Sequence, residues 1–140
     1  MIDTMNTVAL VSDLMTENIT TVAPNVSLSS LGEMFRKIQF RHLPVLDEGE
    51  LVGIVSRTDY DKIMLGFRLA KKDEGTIEDL SHQIPVSKVM TRDVATVTPY
   101  TTAEEVMKIF RQEKFHALPV LSEGGELVGI ISHHDVFYYI

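Results

Sequence analysis

Across residues 27–39 the apolar side chains Leu28, Leu31, Met34, Phe35 and Ile38 recur every three or four positions, which puts them on one face of a helix. The same spacing returns in Ala103, Val106, Ile109 and Phe110, and Thr102-Ala103-Glu104-Glu105 reads as a capping box at the start of that second helix. Two β-rich runs, residues 42–46 and 51–56, flank Asp47-Glu48-Gly49-Glu50 and predict a hairpin. A short extended stretch at residues 20–22 is stopped by Pro24. A further helix is expected from Arg57, turning Tyr60, Ile63, Met64 and Phe67 inward. The order is β-α-β-β-α.

That order is written twice. At an offset of 75 residues Val11-Ser12-Asp13-Leu14-Met15-Thr16 falls on Val86-Ser87-Lys88-Val89-Met90-Thr91, Phe35-Arg36 on Phe110-Arg111, and Leu43-Pro44-Val45-Leu46 on Leu118-Pro119-Val120-Leu121. Beyond the extra Gly125, Glu50-Leu51-Val52-Gly53-Ile54 matches Glu126-Leu127-Val128-Gly129-Ile130 without a change. Roughly 23 of 50 aligned positions are identical, which establishes a duplication. The reading divides the chain into an N-terminal extension (residues 1–10), a first copy (11–70), a polar and partly helical connector (71–85) and a second copy (86–140). A three-stranded sheet covered by helices on one face is marginal alone, so the copies are expected to pack together as one pseudo-symmetric α+β body.

Composition narrows the chemistry. There is no cysteine, so disulfides, thiolate metal sites and cysteine nucleophiles are excluded, and a reducing cytoplasm is the expected setting. A net charge of −7 argues against a nucleic-acid polymer as partner, because affinity for such chains needs many basic groups on one face. No apolar run is long enough for a membrane span. The sequence carries no nucleophile elbow, P-loop or GxGxxG motif. Contiguous Ser132-His133-His134-Asp135 is not a hydrolase triad, since triad members converge from separate segments and the other copy reads Ser56-Arg57-Thr58-Asp59. Adjacent His133 and His134 point in different directions, which disfavours a metal site. No enzyme activity is expected.

The Met-Thr openings, the Leu-Pro-Val strands and the closing Gly53-Ile54-Val55-Ser56-Arg57-Thr58-Asp59 and Gly129-Ile130-Ile131-Ser132-His133-His134-Asp135 resemble the CBS domain family, named after cystathionine β-synthase. The resemblance implies tandem β-α-β-β-α CBS repeats packed as a pseudo-two-fold pair. It also implies a regulatory, non-catalytic module that binds an adenine nucleotide (AMP, ADP or ATP, with or without magnesium) in clefts between the repeats. A homodimer joined through helix faces, with Ile63, Met64 and Phe67 as contacts, and an unidentified regulated protein complete that picture. An interaction or dimerisation module with empty clefts is the alternative.

The residues support both structural and ligand roles. Ser56 and Ser132 stand as N-caps, with Asp59 and Asp135 at the third helical position. The same strand-to-helix junction presents free N–H groups suited to phosphate, and its carboxylate can accept from both hydroxyls of a ribose. By resemblance Asp59 and Asp135 hold ribose, with Ser56 and Ser132 nearby. Arg41, Arg57, His116 and His133 stand where the family puts phosphate contacts. Arginine is always charged whereas histidine is charged only near or below about pH 6.5, so the first copy should accept more phosphate charge at neutral pH. The resemblance adds Thr20, Thr21, Ala95 and Thr96 as lining for the base, Ile54 and Ile130 as its flanks, and His42, Pro44, Thr58, Ala117, Pro119 and His134 as further contacts. Gly53 and Gly129, mid-strand, mark either close packing of the two copies or the approach of a ligand.

Overall fold

The computed structural model describes residues 9–70, 72–112 and 115–139; most of the N-terminal extension, Lys71 of the connector and Ile140 lie outside them. In chain order the elements are α1 (Val11–Leu14), α2 (Leu28–Lys37), β1 (His42–Asp47), β2 (Glu50–Ser56), α3 (Arg57–Leu69), α4 (Glu74–Gln83), a 3-10 turn (Val86–Lys88), α5 (Ala103–Gln112), β3 (Ala117–Leu121), β4 (Leu127–Ser132) and α6 (His133–Tyr139). Thr20–Asp93 forms one compact unit, apart from Lys71, and the described residues through Ile19 form another with the described residues from Val94 onward. Each unit therefore takes its hairpin from one sequence copy and its Met-Thr opening from the other.

In the Thr20–Asp93 unit, Ser27 caps α2 by accepting the Ser30 N–H at 3.1 Å, and the helix buries Leu28, Leu31 and Phe35 as its spacing requires. β1 and β2 pair antiparallel from His42↔Ser56 to Asp47↔Glu50. Their turn places Glu48 at φ 51° and Gly49 at φ 85°, the pair of positive angles that a tight hairpin twist demands. Leu43, Val45 and Val55 from this hairpin meet the α2 residues, Val22 and Val86 in one core. That packing explains why the inward positions of both elements are aliphatic or aromatic.

The expected first strand is reduced to a single bridging residue. Val22 pairs in parallel with Val45, donating to Pro44 O and accepting from the Leu46 N–H, both at 3.0 Å. Pro24 two residues on has no N–H with which to extend the ladder. The opposite edge of the hairpin is covered by Thr91, which exchanges hydrogen bonds of 3.0 and 2.9 Å with Ile54. The sheet is thus a hairpin with one residue clipped to each edge.

The connector is more ordered than its polarity suggests. Asp73 caps α4 by accepting the Thr76 N–H at 2.7 Å, and the helix buries Ile77 and Ser81 against α2. Immediately after it, the Leu28 N–H donates to Ile84 O at 2.9 Å and the Val86 N–H to Val26 O at 2.7 Å. α3 departs from expectation too. Tyr60, Ile63, Met64 and Phe67 are only half-buried, because the helix has neighbours along one flank, while Leu65 and Leu69 face solvent.

The other unit repeats the plan. β3 and β4 pair from Ala117↔Ser132 to Leu121↔Leu127, Val97 bridges Val120 in parallel, and Thr16 exchanges hydrogen bonds of 2.8 and 3.0 Å with Ile130 on the far edge. Val11, Val97, Val106, Leu118, Val120, Ile131 and Val136 form its core. The expected α5 cap is present, with Thr102 Oγ1 accepting the Glu105 N–H at 3.2 Å. α6 has 7 residues where α3 has 13. No helix among the described residues is long and apolar enough to cross a membrane.

Candidate functional site

Each unit carries a mouth where its second strand runs into a helix. In the Thr20–Asp93 unit, Ser56 ends β2 in an extended conformation and its Oγ accepts the Asp59 N–H at 3.0 Å, which fixes the first turn of α3. The Arg57 N–H donates to Arg41 O at 2.8 Å, so the two arginines stand side by side on adjacent strand ends. Both side chains are exposed, and among the described residues neither is held in an ion pair. His42 faces Ser56 across the ladder and Pro44 faces Ile54. Thr20 and Thr21 lead into the Val22 bridge on the other side of β1. The predicted residues of the first copy are therefore gathered at one end of one hairpin, apart from Pro44 and Ile54, which are buried further along it.

The second mouth has the same plan with different chemistry. The His133 N–H donates to His116 O at 3.1 Å, and the two imidazoles lie 5.0 Å apart, centre to centre, in an edge-on arrangement. His133 also meets the Phe110 ring at 4.3 Å. Loss of water against that ring, together with the neighbouring His116, holds the His133 imidazole below the usual histidine range. Ala117, Pro119 and Ile130 are buried beneath this mouth, Ala95 and Thr96 precede the Val97 bridge, and exposed His134 stacks at 4.4 Å on Tyr138.

The two acids differ most. Asp135 Oδ2 accepts from the Ser132 N–H at 3.0 Å and from the Ser132 hydroxyl at 3.2 Å, while the Asp135 N–H donates to Ser132 Oγ at 3.3 Å. Its Oδ1 lies 3.5 Å from the hydroxyl of Thr16. Asp59 has no such return contacts: among the described residues its carboxylate accepts no hydrogen bond.

Sequence reasoning passed over Thr16 as a neighbour of this site; the recurrence of Met-Thr ahead of both copies was the available signal. It also passed over an open groove of about 440 Å³ between α5 and α6, lined by Met107, Phe110, Arg111, His133, Val136 and Phe137. Among the described residues no three His, Asp or Glu side chains gather as a metal site would require. Gly53 and Gly129 answer to close packing: a Cβ on Gly53 would meet Met90 Sδ at 2.6 Å and Thr91 O at 2.8 Å, and one on Gly129 would meet Met15 Sδ at 2.6 Å.

A duplicated hairpin-and-helix unit, each copy closing on Gly-x-x-Ser-x-x-Asp, is the pattern of a tandem CBS pair. Residues 11–66 and 86–140 match the CBS domain, and the chain belongs to that family. It is 35% identical over 121 residues to an inosine-5'-monophosphate dehydrogenase of Korarchaeum cryptofilum, covering 86% of this chain and 22% of that protein. Protein MJ1225 of Methanocaldococcus jannaschii is 26% identical over 140 residues, covering 99% of this chain and 50% of the relative. The chain thus spans half or less of the length of these relatives. The crystal structure of MJ1225 shares the fold with a TM-score of 0.82 at 28% identity, covering 98% of this chain and 49% of that one. CBSX2, an Arabidopsis thaliana CBS-pair protein solved in complex with AMP, matches with a TM-score of 0.76 at 28% identity, over 94% of this chain and 95% of its own. The CBS pair of protein MJ0100, solved with 5'-methylthioadenosine and S-adenosylmethionine, matches with a TM-score of 0.75 at 27% identity, over 94% and 95%.

Proposed function

We propose that this chain is a regulatory module that takes an adenine-containing ligand at its strand-to-helix mouths and performs no chemistry on it. The observation that carries the reading is the mouth itself: a helix start capped by serine, a carboxylate at the third helical position and two basic residues joined by a backbone hydrogen bond at the same strand ends. A ribose diol satisfies the carboxylate, and a phosphate satisfies the basic pair and the helix N–H groups. Similarity to proteins solved with AMP or with methylthioadenosine and S-adenosylmethionine supports the adenosine portion. AMP, ADP and ATP are the expected ligands, with magnesium accompanying the longer phosphates, and the cytoplasm is the expected compartment. The ligand acts by favouring the conformations that bind it best, so its differential affinity sets the size of the response in the regulated partner.

The test is thermal. A ligand specific for the folded state at 100 times its Kd adds about 2.7 kcal/mol, a rise of several degrees in Tm for a chain of this size. AMP, ADP or ATP should produce that rise, and Asp59→Ala combined with Asp135→Ala should remove it. A rise with S-adenosylmethionine or methylthioadenosine alone would shift the ligand class.

The exposed aromatic face of α6, where Phe137 is 80% and Tyr138 78% exposed, favours a second reading as an interaction or dimerisation module. Homodimerisation through this face or through Ile63, Met64 and Phe67 belongs to it. No thermal shift with any adenine compound at millimolar concentration, together with a dimer by native mass spectrometry, would select that reading.

A further inference from the structure

We infer that the two mouths fill in a fixed order, the Asp59 mouth first and the Asp135 mouth only at much higher ligand concentration. The inference rests on the adenine-ligand reading and ranks the two mouths within it. Their sequences give no reason to rank the acids, since both copies read Ser-x-x-Asp; the hydrogen bonding does.

A carboxylate that is to hold a ribose diol must offer oxygen lone pairs. Asp135 has already committed Oδ2 to the Ser132 N–H at 3.0 Å and the Ser132 hydroxyl at 3.2 Å, and its Oδ1 faces the Thr16 hydroxyl at 3.5 Å. A ribose diol that uses both carboxylate oxygens competes there with bonds that are charge-assisted and therefore among the stronger ones in the unit. Asp59 is half-buried at the third position of a longer helix, and both of its oxygens are unengaged among the described residues. Ribose binding at Asp59 displaces water but breaks no hydrogen bond among the described residues.

The basic groups act in the same direction. Arg41 and Arg57 are charged at every physiological pH and point into solvent. The His133 imidazole lies 5.0 Å, centre to centre, from that of His116 and is backed by Phe110. A phosphate therefore has two permanently charged guanidinium groups to draw on at the first mouth and only imidazoles at the second. Because both effects favour one mouth, the predicted separation is at least about tenfold in half-saturating concentration.

The experiment is an AMP titration of the full chain, uniformly labelled with 15N, at pH 7.5, following backbone amides of residues 57–59 and 133–135. The first group should reach half-saturation at a concentration at least about tenfold below the second. Asp59→Asn should abolish the low-concentration step and leave the other, and Arg57→Gln, on an exposed side chain, should weaken the low-concentration step alone. Simultaneous titration of the two groups, or half-saturation of residues 133–135 at the lower AMP concentration, would overturn the ranking while leaving the nucleotide reading in place. Absence of any shift at either mouth with AMP, methylthioadenosine and S-adenosylmethionine would overturn the nucleotide reading, and the ranking would fall with it.

Discussion

The sulfur of Met15 occupies the space into which a side chain on Gly129 would project, 2.6 Å from where its Cβ would stand, and Met90 lies against Gly53 in the same way. Each methionine opens one sequence copy, and each glycine sits mid-strand in the other. The absence of a Cβ lets the Met-Thr segment come close enough for Thr16 and Thr91 to pair with Ile130 and Ile54.

Gly53→Ala and Gly129→Ala should each lower stability by about 1–3 kcal/mol in urea unfolding, the usual cost of overfilling a packed contact. The Gly53 change should be the worse of the two. Its new methyl would also meet the Thr91 carbonyl at 2.8 Å, whereas Thr16 O stands 3.1 Å from the corresponding point on Gly129. A methionine side chain can swing aside, but a paired backbone carbonyl cannot. Equal stability of Gly53→Ala and wild type would refute the contact.

The serine caps allow a direct comparison. Ser56→Ala removes a single acceptor for the Asp59 N–H and should cost about 1 kcal/mol. Ser132→Ala removes the acceptor for the Asp135 N–H and also a donor to the Asp135 carboxylate. It should cost more than Ser56→Ala, by about 0.5–1.5 kcal/mol, the net worth of one hydrogen bond. Chemical denaturation of the two variants side by side checks the order.

Stability should also respond to pH through His133. Folding lowers its pKa from 6.5, first by burial and then by the proximity of His116. Between the lowered folded value and 6.5 the unfolded chain binds more protons than the folded one, so stability rises with pH there. The His133 contribution is complete above pH 6.5 and is lost as pH falls below it. Imidazole proton shifts followed by NMR should place the His133 midpoint below 6.5 and move it upward in His116→Gln. A midpoint at or above 6.5 in the wild type would show that neither the Phe110 contact nor His116 acts on it.

Much of this architecture could be read from the order of side chains. The spacing of Leu28, Leu31 and Phe35 and of Ala103 and Val106 locates α2 and α5, and Glu48-Gly49 locates the first turn, because these are local periodicities and local dihedral demands. The Ser-x-x-Asp caps were legible for the same reason. Three features were not. The crossing of Met15-Thr16 and Met90-Thr91 into the units of the opposite copies is made by one bridging residue each, too short a pattern to leave a periodicity. α4 is polar along most of its length and betrays its packing only through Ile77 and Ser81. The unequal engagement of Asp59 and Asp135 leaves no trace in the letters at all, since it arises from side-chain rotation at identical motifs.

The crossing has a consequence for how the chain comes off the ribosome. Thr20–Asp93 is one unbroken stretch of chain, so its internal contacts can begin to form while the residues after it are still being synthesised. Thr16, translated ahead of that stretch, must wait for Ile130, translated well after it, and long-range pairings of this kind are slow to form. The Met15-Thr16 segment thus leaves the tunnel before the Thr20–Asp93 body and docks after it, and the Gly129 strand has its Met15 cover waiting when it emerges.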